Sequence, residues 1–298
     1  MKRILIIIGV LILFSNTAFA LNSGETCASF LKIALGPGAV GMGEAFTAIA
    51  DDVTAIYWNP AGLSQINTRQ FIFIHNLWFE EMNHDFIGLT VPLKEKQTIG
   101  LGVIGLFMDD IERRRNEYDL APIGTFEAKD IAVIISWAHK DVGMSLKLIS
   151  QEIDAKKGTG VVFDLGYLYP LRENIKIGLT LQNWNEMKKM KIYKKEFDYP
   201  TLLRGGISYQ KDSLLLAIDF YKPFDSKPSV HFGLAKGYGR LFLRAGYRYK
   251  LKQIDNEPLS GITVGLGYKF KESYQLDYGY VPYQDLGSSH RLSIMIRY

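Results

Sequence analysis

From about residue 69 onward, apolar and polar side chains alternate with a period of two, the spacing of a pleated strand whose successive side chains point to opposite faces. In GRLFLRAGYRYK, Leu241, Leu243, Ala245, Tyr247 and Tyr249 share one face, while Arg240, Phe242, Arg244, Gly246 and Arg248 share the other. GITVGLGYKF, NIKIGLTLQN and SHRLSIMIRY repeat the scheme. About fourteen such runs occur, near 69–79, 83–93, 97–108, 128–139, 141–152, 159–169, 174–184, 201–210, 213–222, 228–236, 239–250, 261–270, 272–281 and 289–298. Each is about 9–12 residues long, the length a tilted strand needs to cross a bilayer. Short turns at Leu93–Glu95, Lys140, Arg172–Glu173, Lys211–Asp212, Lys236–Gly239 and Lys271 alternate with mostly longer connections. The longer ones are Asp109–Glu127, Ile153–Gly158, Asn185–Pro200, Pro223–Lys227, Leu251–Ser260 and Pro282–Ser288; the first, around Glu80–Met82, is brief. The pattern predicts an all-β, antiparallel transmembrane β-barrel of the outer-membrane kind, with about fourteen strands and both barrel ends on the short-turn side.

Alternation alone does not say which face meets lipid, and a soluble exported β-sandwich or barrel would turn the apolar face inward. Three features favour lipid. One face collects strand-end aromatics, Tyr249, Phe270, Tyr280 and Tyr298, as an interfacial girdle would. The other carries scattered charges and glycines, and the sequence ends in a strand on Tyr298. The tyrosine-and-leucine face is therefore expected to look outward.

Lys2 and Arg3, the apolar run Ile4–Phe14 and the small-residue site Ala18-Phe19-Ala20 read as a secretory signal peptide over residues 1–20, with a retained N-terminal anchor as the alternative. Cys27 is the only cysteine, which rules out an intrachain disulfide and a cysteine-based zinc site. Gly24-Glu25-Thr26 before it is no lipobox. Past residue 20 no apolar run reaches the roughly 18 residues of a spanning helix. The net charge of +4 is mild, and no basic helix is present to bind nucleic acid.

Residues 21–66 precede the strands of the 67–298 barrel and are compact, rich in small residues and half apolar. A barrel of fourteen strands is too wide for its own side chains to fill, so this segment is expected to be a hatch folded into the lumen from the periplasmic side. Gly36, Gly38, Gly41 and Gly43 would let its backbone approach the wall. Asp51 and Asp52 need cationic partners in a confined space, and Arg204, Arg244, Arg248 and Arg291 are the lumen-facing candidates. Asn59-Pro60-Ala61-Gly62 fits a tight turn into the first strand.

The stretch LGPGAVGMGEAFTAIADDVTAIYWNPAGLSQ resembles the N-terminal signature of the PorV/PorQ outer-membrane proteins and, more distantly, that of the FadL fatty-acid transporters. The residues that carry the resemblance are Met42, Gly43, Ala45, Ala50, Asp51, Asp52, Tyr57, Trp58, Asn59, Pro60, Ala61, Gly62 and Leu63. It implies a fourteen-stranded outer-membrane barrel with an N-terminal hatch of structural or gating role. Pro37-Gly38 stands where many relatives carry Ala-Arg, so one arginine contact of the hatch is missing.

Candidate chemistry is sparse. Adjacent Asp51 and Asp52 have no histidine nearby in sequence, and His75, His84, His139, His231 and His290 show no metal-ligand spacing. No nucleophile elbow or phosphate loop occurs, so no catalytic residue, metal or cofactor is assigned and the chain is read as a non-enzyme. Gly100-Leu-Gly and Gly265-Leu-Gly sit inside strand patterns and are read as room for the hatch. The charged segments Asp109–Asp119 and Asn185–Tyr199 fit either solvated loops or contacts with lipopolysaccharide or secretion-machinery proteins. Two function classes stay open: a PorV/PorQ-type barrel serving transport or secretion, and a FadL-like passive channel for small hydrophobic molecules.

Overall fold

In the computed structural model the described residues are 26–80, 82–116, 121–251, 261–283 and 287–298; the signal-peptide reading of residues 1–20 and the first five positions of the expected hatch lie outside them. Sixteen strands form: β1 (Gln70–Leu77), β2 (Asn83–Pro92), β3 (Gln97–Arg113), β4 (Gly124–His139), β5 (Val142–Ile153), β6 (Lys156–Arg172), β7 (Ile175–Trp184), β8 (Met190–Ile192), β9 (Lys195–Phe197), β10 (Leu202–Lys211), β11 (Leu214–Pro223), β12 (Ser229–Tyr238), β13 (Leu241–Lys250), β14 (Ile262–Lys271), β15 (Tyr274–Pro282) and β16 (Ser288–Arg297). Fourteen of them, all but the short β8 and β9, pair antiparallel with their chain neighbours, and β1 pairs with β16 to close the cylinder. Closure leaves none of these fourteen strands at an edge of the sheet among the described residues. The expected all-β, fourteen-stranded transmembrane barrel is thus the observed fold.

The orientation of the pleat follows the sequence pattern. Leu241, Leu243, Val264, Leu266, Leu292 and Ile294 are exposed on the outside, while Gly265, Thr263, Arg291 and Ser293 between them are buried inside. Leu292 is 57% exposed and Leu266 50%. A continuous exterior of that kind is lipid-facing, because a soluble protein does not leave so large an apolar surface in water.

Two expected boundaries shift. Both ends of the connection read over 109–127 are strand, because β3 continues to Arg113 and β4 begins at Gly124. Likewise Ile153–Gly158 is a tight turn at Asp154 and Ala155, joining two long strands rather than forming a loop. At about 3.3 Å per residue, 17-residue strands exceed the roughly 25 Å apolar band even when tilted. The β3–β6 wall therefore stands beyond the bilayer on the long-connection side. The segment 185–200 adds a small hairpin there, β8 with β9, which pairs back onto β6 at Gly158 and Thr159.

Residues 26–66 lie against the inner wall. They form a 3-10 turn (Ser29–Lys32), a helical turn (Pro37–Gly41), another (Ala55–Trp58) and a second 3-10 turn (Pro60–Gln65). They contribute most of the hydrophobic core: Leu35, Val40, Val53, Ile56, Trp58 and Leu63 are fully buried. The core of this protein is thus inside the cylinder, contributed by the segment and met by a wall of glycines and polar groups.

Candidate functional site

The site is the filled interior, and its shape begins with glycine. A Cβ at Gly246 would collide with the backbone of Gly43, one at Gly143 with Pro60, one at Gly178 with Thr47, and one at Gly265 would sit 3.1 Å from Gly41. These wall positions come from β13, β5, β7 and β14, so bare backbone faces the segment around the circumference. A Cβ at Gly100 would likewise sit 2.7 Å from the Ile56 side chain. On the segment side, Gly36 and Gly43 have φ of 81° and 65°, which L-residues adopt only with strain.

Polar groups stitch the segment to the wall along its length. At the long-connection end, Thr26 bridges to Asp198, and Lys32 pairs with Asp225 at 2.5 Å. Further along, Gly43 N–H donates to Thr263 Oγ1 at 2.9 Å, and Asp219 Oδ2 accepts from Phe46 N and Thr47 N at 3.0 and 2.9 Å. Asn59 caps the turn that follows it through Ala61 N, and its Nδ2 donates to Thr47 O and to Tyr167 O of β6. Within the segment, Trp58 Nε1 donates to Leu35 O at 2.9 Å. Gln182 donates to Tyr57 O and Arg291 to Ala34 O. At the short-turn end, Lys176 Nζ reaches Gln65 Oε1 at 2.5 Å. The segment thus runs the length of the lumen.

The sequence-derived motif residues fall in this packing. Met42, Gly43, Ala45, Tyr57, Trp58, Asn59, Pro60 and Gly62 are all buried. Arg204, Arg244, Arg248 and Arg291 line the inside, and their partners are not Asp51 and Asp52. Among the described residues neither aspartate forms an ion pair with any of them. Asp51 is exposed, and Asp52 Oδ1 accepts from Thr54 N and Thr54 Oγ1, at 2.7 and 2.5 Å. Arg244 pairs instead with Asp277 of its own wall at 2.6 Å. Arg248 pairs with Glu44 of the segment at 2.9 Å, so the acidic clamp is a residue the sequence reading passed over. Burial pushes the Asp52 carboxyl up, helped by Asp51 beside it, to about 6 despite the Thr54 bonds. Burial would raise Glu44 too, but Arg248, with His231, Arg204 and Arg291 beyond it, outweighs that and holds it near 2.

Arg204 is the outlier. It is fully buried, and Nε, Nη1 and Nη2 find no hydrogen-bond acceptor among the described residues. Its guanidinium lies between two rings instead, 4.7 Å from the Trp58 centroid and 4.3 Å from that of Tyr221. Below it, at the short-turn mouth, a cavity of about 390 Å³ is lined by Asp51, Asp52, Arg244, Lys269, Asp277 and Arg297 among others. No cluster of three or more metal-ligating side chains occurs among the described residues. What the arrangement can do is obstruct: an apolar, side-chain-filled lumen with polar fastenings to a smooth wall.

No protein-family model matches the sequence, and no curated protein matches it. Solved structures do. The chain is similar to the toluene transporter TodX of Pseudomonas putida, at 14% identity over 93% of this chain and 98% of that one, with a TM-score of 0.62. It is similar to the toluene transporter TbuX of Ralstonia pickettii, at 12% identity over 89% and 97%, with a TM-score of 0.61. It is also similar to a FadL homologue of Pseudomonas aeruginosa, at 12% identity over 88% and 98%, with a TM-score of 0.56. At such identities the likeness shows the fold alone, a closed antiparallel β-barrel. It extends over nearly the whole length of both partners in each pair.

Proposed function

We propose that this protein is a passive outer-membrane channel for small hydrophobic molecules, with residues 26–66 as the hatch that gates it. The observation that carries the reading is the apolar, side-chain-filled interior, in which Leu35, Val40, Val53, Ile56 and Leu63 are buried inside a barrel wall. Ions and hydrated solutes would have to shed water to pass such a medium, whereas an apolar solute gains by entering it. The architecture shared with two toluene transporters and a FadL homologue supports the same solute class. Polar fastenings on glycine-bare backbone suit a segment that shifts as a unit, because sliding past smooth wall needs no side chains to interdigitate.

The test is uptake by intact cells of a porin-poor bacterium producing the protein. Initial uptake of radiolabelled toluene should rise several-fold over cells lacking it, with sucrose uptake unchanged. Equal toluene uptake in the two strains would remove the channel reading. A sealed barrel serving secretion, the PorV/PorQ-type function, would then stand, since a filled lumen equally suits a scaffold that conducts nothing.

A further inference from the structure

On the outer wall, a groove of about 450 Å³ runs across the strands, and its lining is almost wholly apolar. The register places Ile135 of β4 beside Leu146 of β5, Leu146 beside Phe163 of β6, and Phe163 beside Trp184 of β7. The groove forms where the β6–β7 ladder breaks register between Phe163 and Leu165. Met187, which follows the end of β7, overhangs it and is 81% exposed. Met187 is held there by Asn185, whose Nδ2 donates to Val161 O of β6 at 2.7 Å while its Oδ1 accepts from the backbone N–H groups of Met187 and Lys188. The same side chain thus sets an apolar overhang and a lysine next to each other.

Beyond them comes the β8–β9 hairpin, with Lys188, Lys189, Lys191, Lys194 and Lys195 within eight residues. Lys189 and Lys191 are matched by Asp198 and Glu196. Lys188, Lys194 and Lys195 form no ion pair among the described residues. Lys194 and Lys156 instead flank the ring of Tyr193 at the hairpin tip, 5.6 and 5.7 Å from its centroid. The hairpin stands where the β3–β6 wall leaves the bilayer.

We propose that the groove and the hairpin together bind one anionic lipid of the outer leaflet, its acyl chain in the groove and its phosphate by Lys188, with Lys194 and Lys195 on the hairpin adding attraction for the negative headgroup. An apolar slot on a lipid-facing wall takes a hydrocarbon chain. Lys188, next to the Met187 overhang, lies nearest its end, and Lys194 and Lys195 farther along the hairpin add to the positive field that selects an anionic headgroup. Neither half alone would discriminate between lipids. The site holds whether or not the lumen conducts.

The experiment is quenching of tryptophan fluorescence in detergent-solubilised full-length protein by lipids with brominated acyl chains. The difference between wild type and Trp184→Phe isolates the Trp184 signal from the three other tryptophans. Brominated phosphatidylglycerol should quench Trp184 at concentrations at least tenfold lower than brominated phosphatidylcholine. That preference should fall several-fold in 0.5 M salt. It should vanish in K188Q/K194Q/K195Q, whose substitutions are all exposed. Unlabelled lipid A should compete, and inorganic phosphate at the same concentration should not. Equal quenching by the two lipids, or a preference that survives the triple substitution, would overturn the proposal. Displacement by inorganic phosphate alone would also overturn it, reducing the site to a free-anion patch.

Discussion

Glu44 and Asp52 sit eight residues apart on one segment and respond to pH in opposite senses. Glu44, held near 2 against an ordinary 4.5, fastens the segment to Arg248 at all pH values above about 4.5 and releases it as pH falls towards 2. Asp52, pushed up to about 6 from 3.8, costs stability as pH rises through that interval. The segment should therefore be held best near pH 4–5. Hydrogen exchange of amides in residues 40–50, corrected for intrinsic rates, should show slowest opening there. Glu44→Gln should flatten the acid limb, by up to about 3 kcal/mol, and Asp52→Asn should lessen the alkaline one, part of which stays with the buried Asp219 that accepts from Phe46 N and Thr47 N. Arg204 invites a second substitution. Two aromatic faces return about 2 kcal/mol each to a desolvated guanidinium, less than the several kcal/mol that burying the charge costs. Arg204→Met relieves that cost but also takes away one of the cations that hold Glu44 low, so it should slow opening only modestly; faster opening in that variant would show that the ring contacts and the pull on Glu44 outweigh desolvation. The four arginines were legible in the sequence because each lies on the face opposite the leucines and tyrosines. The pairing of Glu44 was not, because it depends on a left-handed residue at φ 69° that turns the chain towards β13, and no periodicity records such a turn.

At the scale of elements, smooth wall is the shared device. Gly143→Val and Gly246→Val should each prevent the segment from seating, since the added atoms meet backbone that has no rotamer to yield. Ala245→Val, one position along β13 and facing out, should be neutral. Single-channel recording in planar bilayers separates them: raised conductance is expected for the inward pair only. By the same logic Glu44→Gln should raise conductance at neutral pH, and the double change Asp51→Asn with Asp52→Asn should not, because neither aspartate ties the segment to the wall. Strand positions were readable wherever one face was uniformly apolar. They failed above the membrane, where β3, β4 and β6 carry charge on both faces, as at Asp109, Glu112 and Lys157, and alternation no longer has a lipid side to record. The β8–β9 hairpin was lost for the same reason, its strands being three residues each, too short for alternation to show, in a lysine-rich segment.

For the whole molecule, the count of fourteen strands and the direction of the pleat followed from length, period and turn spacing, because a bilayer imposes both a span and an apolar exterior. The interior was legible only as a need: a cylinder this wide must hold something, and the small-residue segment was the one candidate of suitable size. Which contacts fix it there required coordinates, since they join residues over a hundred positions apart. One of these long-range links is the seam itself. Gln70 of β1 is paired with Arg297 of β16, and Tyr298 exchanges backbone bonds with Arg69. The first and last staves close the cylinder, and residues 26–66 run through the space they enclose. Threading a core of that bulk through a finished cylinder would demand wide opening, so assembly has an order: the stopper is wrapped, then the staves zip shut around it. Slowing its collapse should delay heat-modifiable migration on gels, the mark of a sealed barrel, more than it weakens the finished protein.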